Sequence, residues 1–404
     1  MAFAQNKIII GRMPYAPTDN NMKTKIILFT ALIISVVACS PRNNSVSIVE
    51  VNGSKMFVAS LSGLSSRTAT IPLSSLVESL KVVQLEDHDD AFFRPWFTTV
   101  TENYIGVRQS DGRPYLLFSR SGQFLGNIGR VGQGPGEYPS TLYDDIIDDK
   151  NSLIYVVSMF GSNRIFVYDT SGAFVREIVT PVRLSKPKIF LSDNILTVLH
   201  KSFSENSPMG FQIDINTGQV LSEVPTPAHL VMFGYDSEIF NARNVPGVFD
   251  FFYPNVDTLY HFDARSNRLL PFFTLTGSAQ NRYVQINEDL IFTEVFVFDN
   301  ERFSLLGMVA TDLRNMVSSR VTVVNDFFGN LPIMPSLVTF RNGYFVHNVQ
   351  PEDLIYQIEN RLAESNVTEN DRQQLQELFS QLEENTNNVV FIGRLRSGIE
   401  GRLW

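Results

Sequence analysis

The side chains able to do chemistry in this sequence are few and scattered. Five histidines, His88, His200, His229, His261 and His347, stand far apart with no zinc-type pair among them, and no Gly-x-Ser-x-Gly elbow offers a nucleophile. They read as surface or hydrogen-bonded core residues. Asp144, Asp145, Asp148 and Asp149 form the densest acidic group. A calcium loop needs oxygen ligands at alternating positions with a glycine for the sharp turn. That arrangement is missing here, so Asp148 and Asp149 read as flanking a turn. Glu86, Asp87, Asp89 and Asp90 read as a solvated loop. Gly129, Gly132, Gly134 and Gly136 could suggest a phosphate loop. No Lys-Ser/Thr follows them, and a strand comes next, so the helix N-terminus that would hold an anion is absent. The residues therefore point to no metal and no cofactor.

The lone cysteine, Cys39, excludes an intrachain disulfide. Its surroundings are informative. Lys23 and Lys25 follow Met22, an apolar run spans Ile26 to Val37, and Val36-Val37-Ala38 precedes the cysteine. A basic region, a short apolar stretch and small residues before a cut define a secretory signal too short to span a bilayer. Cys39 stands where a bacterial lipobox places its lipidated cysteine, and the segment resembles a lipoprotein signal. Two or more acyl chains on one residue give stable membrane anchoring. Residues 1–21 read as an upstream extension whose start is assigned too early, 22–38 as the signal peptide, and 39–70 as a polar tether with an accessory strand. No acidic run follows Cys39, which favours the periplasm-facing side of the outer membrane.

The elements that must position these residues are strands. The chain has 404 residues, 44% of them hydrophobic and 12% aromatic, with 32 Phe and 13 Tyr, a composition suited to a large β core. Net charge is −9 and no basic patch of the kind nucleic acid requires is present. From Asp144 to Val175 short apolar runs alternate with tight turns. Leu153–Val157 and Ile165–Tyr168 are apolar at consecutive positions, which means that both sheet faces are covered. Asp169-Thr170-Ser171-Gly172 has the residues of a type I turn. Gly122, Gly172, Gly218 and Asn267 fall 50, 46 and 49 residues apart, the period of one propeller blade.

The stretch Gly134-Pro135-Gly136-Glu137-Tyr138, Asp148, Ser162-Asn163-Arg164-Ile165 and Tyr168-Asp169-Thr170-Ser171-Gly172 resembles the NHL repeat, although Asn163 and Arg164 are adjacent where the repeat has a residue between them. The mature chain resembles the six-bladed β-propeller lipoproteins of diderm bacteria. Asn325-Asp326-Phe327-Phe328-Gly329 is similar to a second motif of that family. The expected fold is all-β, a six-bladed β-propeller over residues 71–404, with a short C-terminal helical insertion at about 352–385. Within it Leu375, Leu378, Phe379 and Leu382 share one helical face, with Thr368 or Asn370 as cap. The strand at Asn388–Gly393 is expected to join Lys81–Leu85 and close the ring.

Propellers bind ligands over the central channel, where aromatic and arginine side chains in the loops are natural anchors. Arg94, Trp96, Arg130, Tyr138 and Phe160 are such residues. The resulting expectation is a lipid-anchored envelope module that binds a glycan, a peptide or a protein, with the membrane as its anchor and no nucleic-acid partner. The competing expectation is a propeller enzyme, a metal-dependent lactonase or a polysaccharide lyase. Its metal would be held at the channel mouth by Glu, Asn and Asp side chains drawn from separate blades.

Overall fold

The computed structural model describes residues 45–398, apart from 95, 111, 233–238, 240–248, 253–256, 264–265, 279, 300–301 and 334–337. Cys39 and the rest of the signal lie outside the described residues. The N-terminal segment supplies β1 (Val46–Val51), β2 (Ser54–Ser60), β3 (Thr68–Pro72) and β4 (Val77–Gln84). Blade one holds β5 (Phe97–Val100), β6 (Tyr104–Arg108), β7 (Tyr115–Ser119) and β8 (Phe124–Ile128). Blade two holds β9 (Leu142–Asp148), β10 (Leu153–Ser158), β11 (Arg164–Asp169) and β12 (Phe174–Val179). Blade three holds β13 (Lys188–Ser192), β14 (Ile195–Leu199), β15 (Gly210–Asp214) and β16 (Val220–Val224). Blade four is built on β17 (Phe249–Phe251), β18 (Leu259–Asp263) and β19 (Arg268–Thr276). Blade five holds β20 (Gln280–Gln285), β21 (Leu290–Asp299), β22 (Arg302–Asp312), β23 (Val317–Asn325) and β24 (Leu331–Ile333). Blade six holds β25 (Val338–Arg341), β26 (Tyr344–Val349) and β27 (Val389–Leu395).

Blade two shows why consecutive apolar residues produce this architecture. In a strand, neighbouring side chains point to opposite faces. Tyr155, Val157, Ile165 and Val167 pack against Leu196, Val198 and Phe211 of blade three. Ile154, Val156, Phe166 and Tyr168 pack the other way, against Tyr115, Leu117 and Ile128 of blade one. Each such side chain contributes roughly 1.5–3 kcal/mol when fully buried, and neither face could be left in water. The turn after β11 forms as the residue types dictate. The Asp169 carboxylate accepts hydrogen bonds from the Ser171 and Ala173 N–H groups, and Gly172 takes a φ of +88°.

The N-terminal segment runs along the outer edges of three successive blades. β2 lies parallel to β19 in blade four, with β1 outside it. β3 lies parallel to β23 in blade five. β4 pairs antiparallel with β27, placing Val82 opposite Phe391 and Val83 opposite Val390. Blade six thus contains strands from both ends of the chain, and the ring closes. The accessory strand expected within residues 39–70 is a hairpin of β1 and β2, and the helical insertion contains two helices, α1 (Pro351–Ala363) and α2 (Glu369–Phe379). Thr368 caps α2 in a reciprocal capping box with Asp371. Leu354 and Ile358 of α1 and Leu375 and Leu378 of α2 join one core with Phe391 of blade six. The fold is therefore mostly β, a six-bladed propeller with two short helices near its C-terminus.

Candidate functional site

The innermost strands of the six blades, β5, β9, β13, β17, β20 and β25, surround the channel. A network of buried charge crosses it. Arg108, from the end of β6, donates through Nε to Asp145 Oδ1 at 2.5 Å and through Nη1 to the Tyr143 carbonyl. Arg341, from β25, lies 3.0 Å from Asp144 Oδ1 and 3.9 Å from Asp145 Oδ1, and it also donates to the Asp145 carbonyl. The Ile189 N–H of blade three donates to Asp144 Oδ2. The Lys188 ammonium sits 4.2 Å from the centre of the Tyr143 ring. Blades one, two, three and six are thereby tied together across the axis.

The electrostatics follow from this geometry. Burial alone would push the Asp144 carboxyl up, but Arg341, Lys188 and Arg108 outweigh it and hold Asp144 below the usual range. Burial works against the Arg341 charge as well, and Asp144 and Asp145 overcome it, so Arg341 stays protonated more firmly than a free guanidinium. Burial lifts the Tyr115 hydroxyl well above its ordinary value, and the Asp145 carboxylate, which accepts its proton at 3.1 Å, lifts it further. That contact exists because residue 106 is glycine. A Cβ there would lie 1.7 Å from Tyr115 Oη.

A cavity of about 670 Å³ opens on the face that carries the turns joining each inner strand to the next. Asp145 and Arg341 form part of its lining, and the described lining residues come from all six blades. Its carboxylates are Glu78, Glu102, Asp145, Asp149, Asp250 and Glu288, and its cations Arg341, Arg394 and Arg396. Glu102 accepts from Tyr344 Oη and from Arg394, each at 2.7 Å. The Tyr344 hydrogen bond, with Arg394 and Arg120, holds Glu102 below the ordinary carboxylate range despite some desolvation. Burial, aided by the Glu102 charge, pushes Tyr344 up to about 12. Asp149 accepts from Thr101 Oγ1 and the Asn103 N–H. At the other end of the channel Arg108, Tyr143 and Lys188 are all buried, and Tyr143 Oη both donates to the Ile239 carbonyl and accepts from its N–H.

The five residues nominated from sequence all lie toward this second face, and they do not form one site. Trp96 stands by the axis, its ring 6.3 Å from that of Tyr143 and 5.7 Å from the Arg108 guanidinium carbon. Phe160 is half-buried, with the Lys186 ammonium 5.9 Å from its ring. Tyr138 is fully buried, and its hydroxyl accepts from the Tyr115 N–H, so its contacts are those of a packing residue. Arg130 is exposed and paired with Glu137. Arg94 lines a separate cleft of about 510 Å³ with Phe92, Arg113 and the start of α1. The residues that do converge, Arg108, Asp144, Asp145, Lys188 and Arg341, are up to 233 positions apart in the chain, and only the ring brings them together. Among the described residues no three carboxylate, imidazole or thiol groups are placed to hold a metal ion.

The chain resembles solved structures. A presumed exported protein from Bacteroides fragilis NCTC 9343 is 15% identical, with a TM-score of 0.56 over 82% of this chain and 98% of that one. A member of the DUF4221 family from Bacteroides vulgatus ATCC 8482 is 10% identical, with a TM-score of 0.48 over 88% of this chain and 99% of that one. At these identities the likeness concerns the fold alone. No curated protein matches the sequence. Residues 57–276, which run from β2 to the end of blade four and make up more than half of the chain, match a family model described as a domain of unknown function, and the chain belongs to that family, DUF4934.

Proposed function

We propose that this protein is an exported, lipid-anchored binding module whose ligand sits in the channel mouth. The observation that carries the reading is the cavity itself. It is of ligand size, it lies on the propeller axis, and polar groups from several blades converge on it. Its floor is the Asp145–Arg341 pair, held rigid by Arg108 and Asp144, so the site is formed before any ligand arrives. The far end of the channel is filled by Arg108, Tyr143 and Lys188, which favours entry from the open face. Trp96 and Phe160, with Arg94 and Arg130, remain candidates for a second contact surface on the opposite face.

Export and anchoring are supported by the lipobox-like Val36-Val37-Ala38-Cys39 and by the description of the Bacteroides fragilis neighbour. Palmitate fed to cells should label the wild type and leave Cys39→Ala unlabelled, and label on both would reject the anchor. The binding reading is tested by affinity capture from solubilised envelope with the full-length protein in detergent. Wild type is compared with Glu288→Trp, which fills the opening. A glycan, peptide or protein retained by the wild type and lost from the variant supports the reading. A ligand held equally by both places the binding site elsewhere.

A further inference from the structure

We propose that the cleft beside the start of α1, on the face opposite the channel mouth, binds a neutral saccharide. This site is separate from the mouth, and its failure would leave the reading of the mouth untouched. At about 510 Å³ the cleft is within the range of small-ligand sites. Its charges balance, Arg94 and Arg113 against Glu352 and Glu384, so no net field selects for an ion. Arg94, Glu352 and Glu384 are exposed, and among the described residues none of them makes an ion pair. Donors and acceptors therefore stand together, open to solvent, on the walls of one cavity. Phe92, 44% exposed, adds an apolar ring to the same lining.

One buried group in the lining points to a ligand independently. Gln109, just beyond β6, is only 5% exposed. Its Nε2 donates to the Pro114 carbonyl at 2.7 Å. A carbonyl only accepts, so that bond fixes which end of the amide is oxygen. Oε1 accepts from none of the described residues, and it is not one of the polar atoms closed off from solvent. An acceptor left in this state is satisfied by a donor that enters the cleft. A sugar hydroxyl suits it, because a hydroxyl donates to Gln109 while accepting from a guanidinium beside it. The C–H face of the sugar ring then packs on Phe92. The walls disfavour a peptide. An extended chain binds by adding to a sheet edge, and a helix by filling an apolar groove. Here no lining residue lies in a strand, and only Phe92, Phe93 and Pro351 are apolar.

Isothermal titration of the full-length protein in detergent tests the assignment. The probes are cellotetraose, maltotetraose and mannotetraose. A galacturonic acid tetramer and an end-blocked pentapeptide of serine and asparagine serve as the charged and the peptide counterparts. At least one neutral tetrasaccharide is expected to bind about tenfold or more tightly than either counterpart. Phe92→Ala should weaken it about threefold or more, and because Phe92 is exposed the fold is kept. Gln109→Met, which removes the acceptor at similar volume, should do the same, by about threefold or more. Glu288→Trp, at the mouth, should leave the sugar bound as before. Wild-type affinity in either cleft variant, or loss of the sugar from Glu288→Trp, would overturn the cleft as its site. No binding of any neutral tetrasaccharide, or tighter binding of the uronate or the peptide, would overturn the ligand class. Occupancy of the mouth is judged separately, by the capture experiment.

Discussion

Arg341 is the side chain on which the channel network turns. It faces two carboxylates from one blade and reaches across the axis from another. Removing one partner of a buried ion pair leaves the other charge unpaired and costs more than the pair contributes. Arg341→Met should therefore destabilise the protein by about 3–5 kcal/mol in urea unfolding. Adding Asp144→Asn to that variant should recover part of the loss, because the stranded charge goes with it. A double variant as unstable as the sum of its parts would mean that the two groups do not interact. The same network shows where reading by residue type stops. Asp144-Asp145 and Asp148-Asp149 look alike in sequence, yet the first pair is buried and ion-paired. Asp148, in contrast, closes a turn by accepting from the Lys150 and Asn151 N–H groups. The turn after Asp148 was legible locally, but nothing local marks Asp144 and Asp145 as ion-paired. The difference is that Arg108 and Arg341 arrive from other blades.

At the level of the element, closure and capping carry separable predictions. The Leu85 N–H donates to the Asn388 carbonyl. Alternation along an antiparallel pair then turns the N–H of Val83, opposite Val390, toward β27, and that of Val82 outward. β4 is the outermost strand of its sheet, so proline is tolerated at one position and not at the other. Val83→Pro should cost about 3 kcal/mol or more and Val82→Pro clearly less, read as the difference in thermal midpoint. Equal losses would contradict the pairing. Thr368→Ala removes the side-chain acceptor for the Asp371 N–H and should cost about 1 kcal/mol. The capping signal for α2 was legible because a capping box is local. α1 was not read, since Leu354 and Ile358 share their buried face with Arg361. That guanidinium is accommodated because it donates to the Gly329 carbonyl, on the loop after β23, at 3.1 Å and to Glu364 and Asn366 at 2.8 and 2.6 Å.

Over the whole molecule, the stability should fall as the solution is acidified below neutrality. Burial pushes both His200 and His347 down to about 4 from an ordinary 6.5. Above 6.5 both rings are neutral folded and unfolded, so their full contribution is present. Between 6.5 and 4 the unfolded chain takes up protons that the native state refuses, and stability is lost. Asp257 works in the opposite direction, because burial raises it to about 6 and protonation there favours the native state. It is one half-buried group against two buried ones. The net expectation between pH 7.5 and pH 5 is a loss of about 2–3 kcal/mol, measured by urea midpoints at the two pH values. His200→Gln and His347→Gln together should flatten the slope.

The repeat, the apolar runs and the turn residues were enough to specify blades, because each depends on neighbours within about fifty residues in the chain. A strand greasy on both faces must be covered on both, and modules that cannot stand alone must stack. The expected pairing of the last strand with the one at Lys81–Leu85 followed from the same need to remove free edges. The site was decided by tertiary structure. A channel mouth is made from residues of every blade, and their spacing in the chain reflects blade length, with no trace of the chemistry they perform together. Charge pairs such as Arg108–Asp145 and Asp144–Arg341 exist only once the ring has closed and excluded water around them.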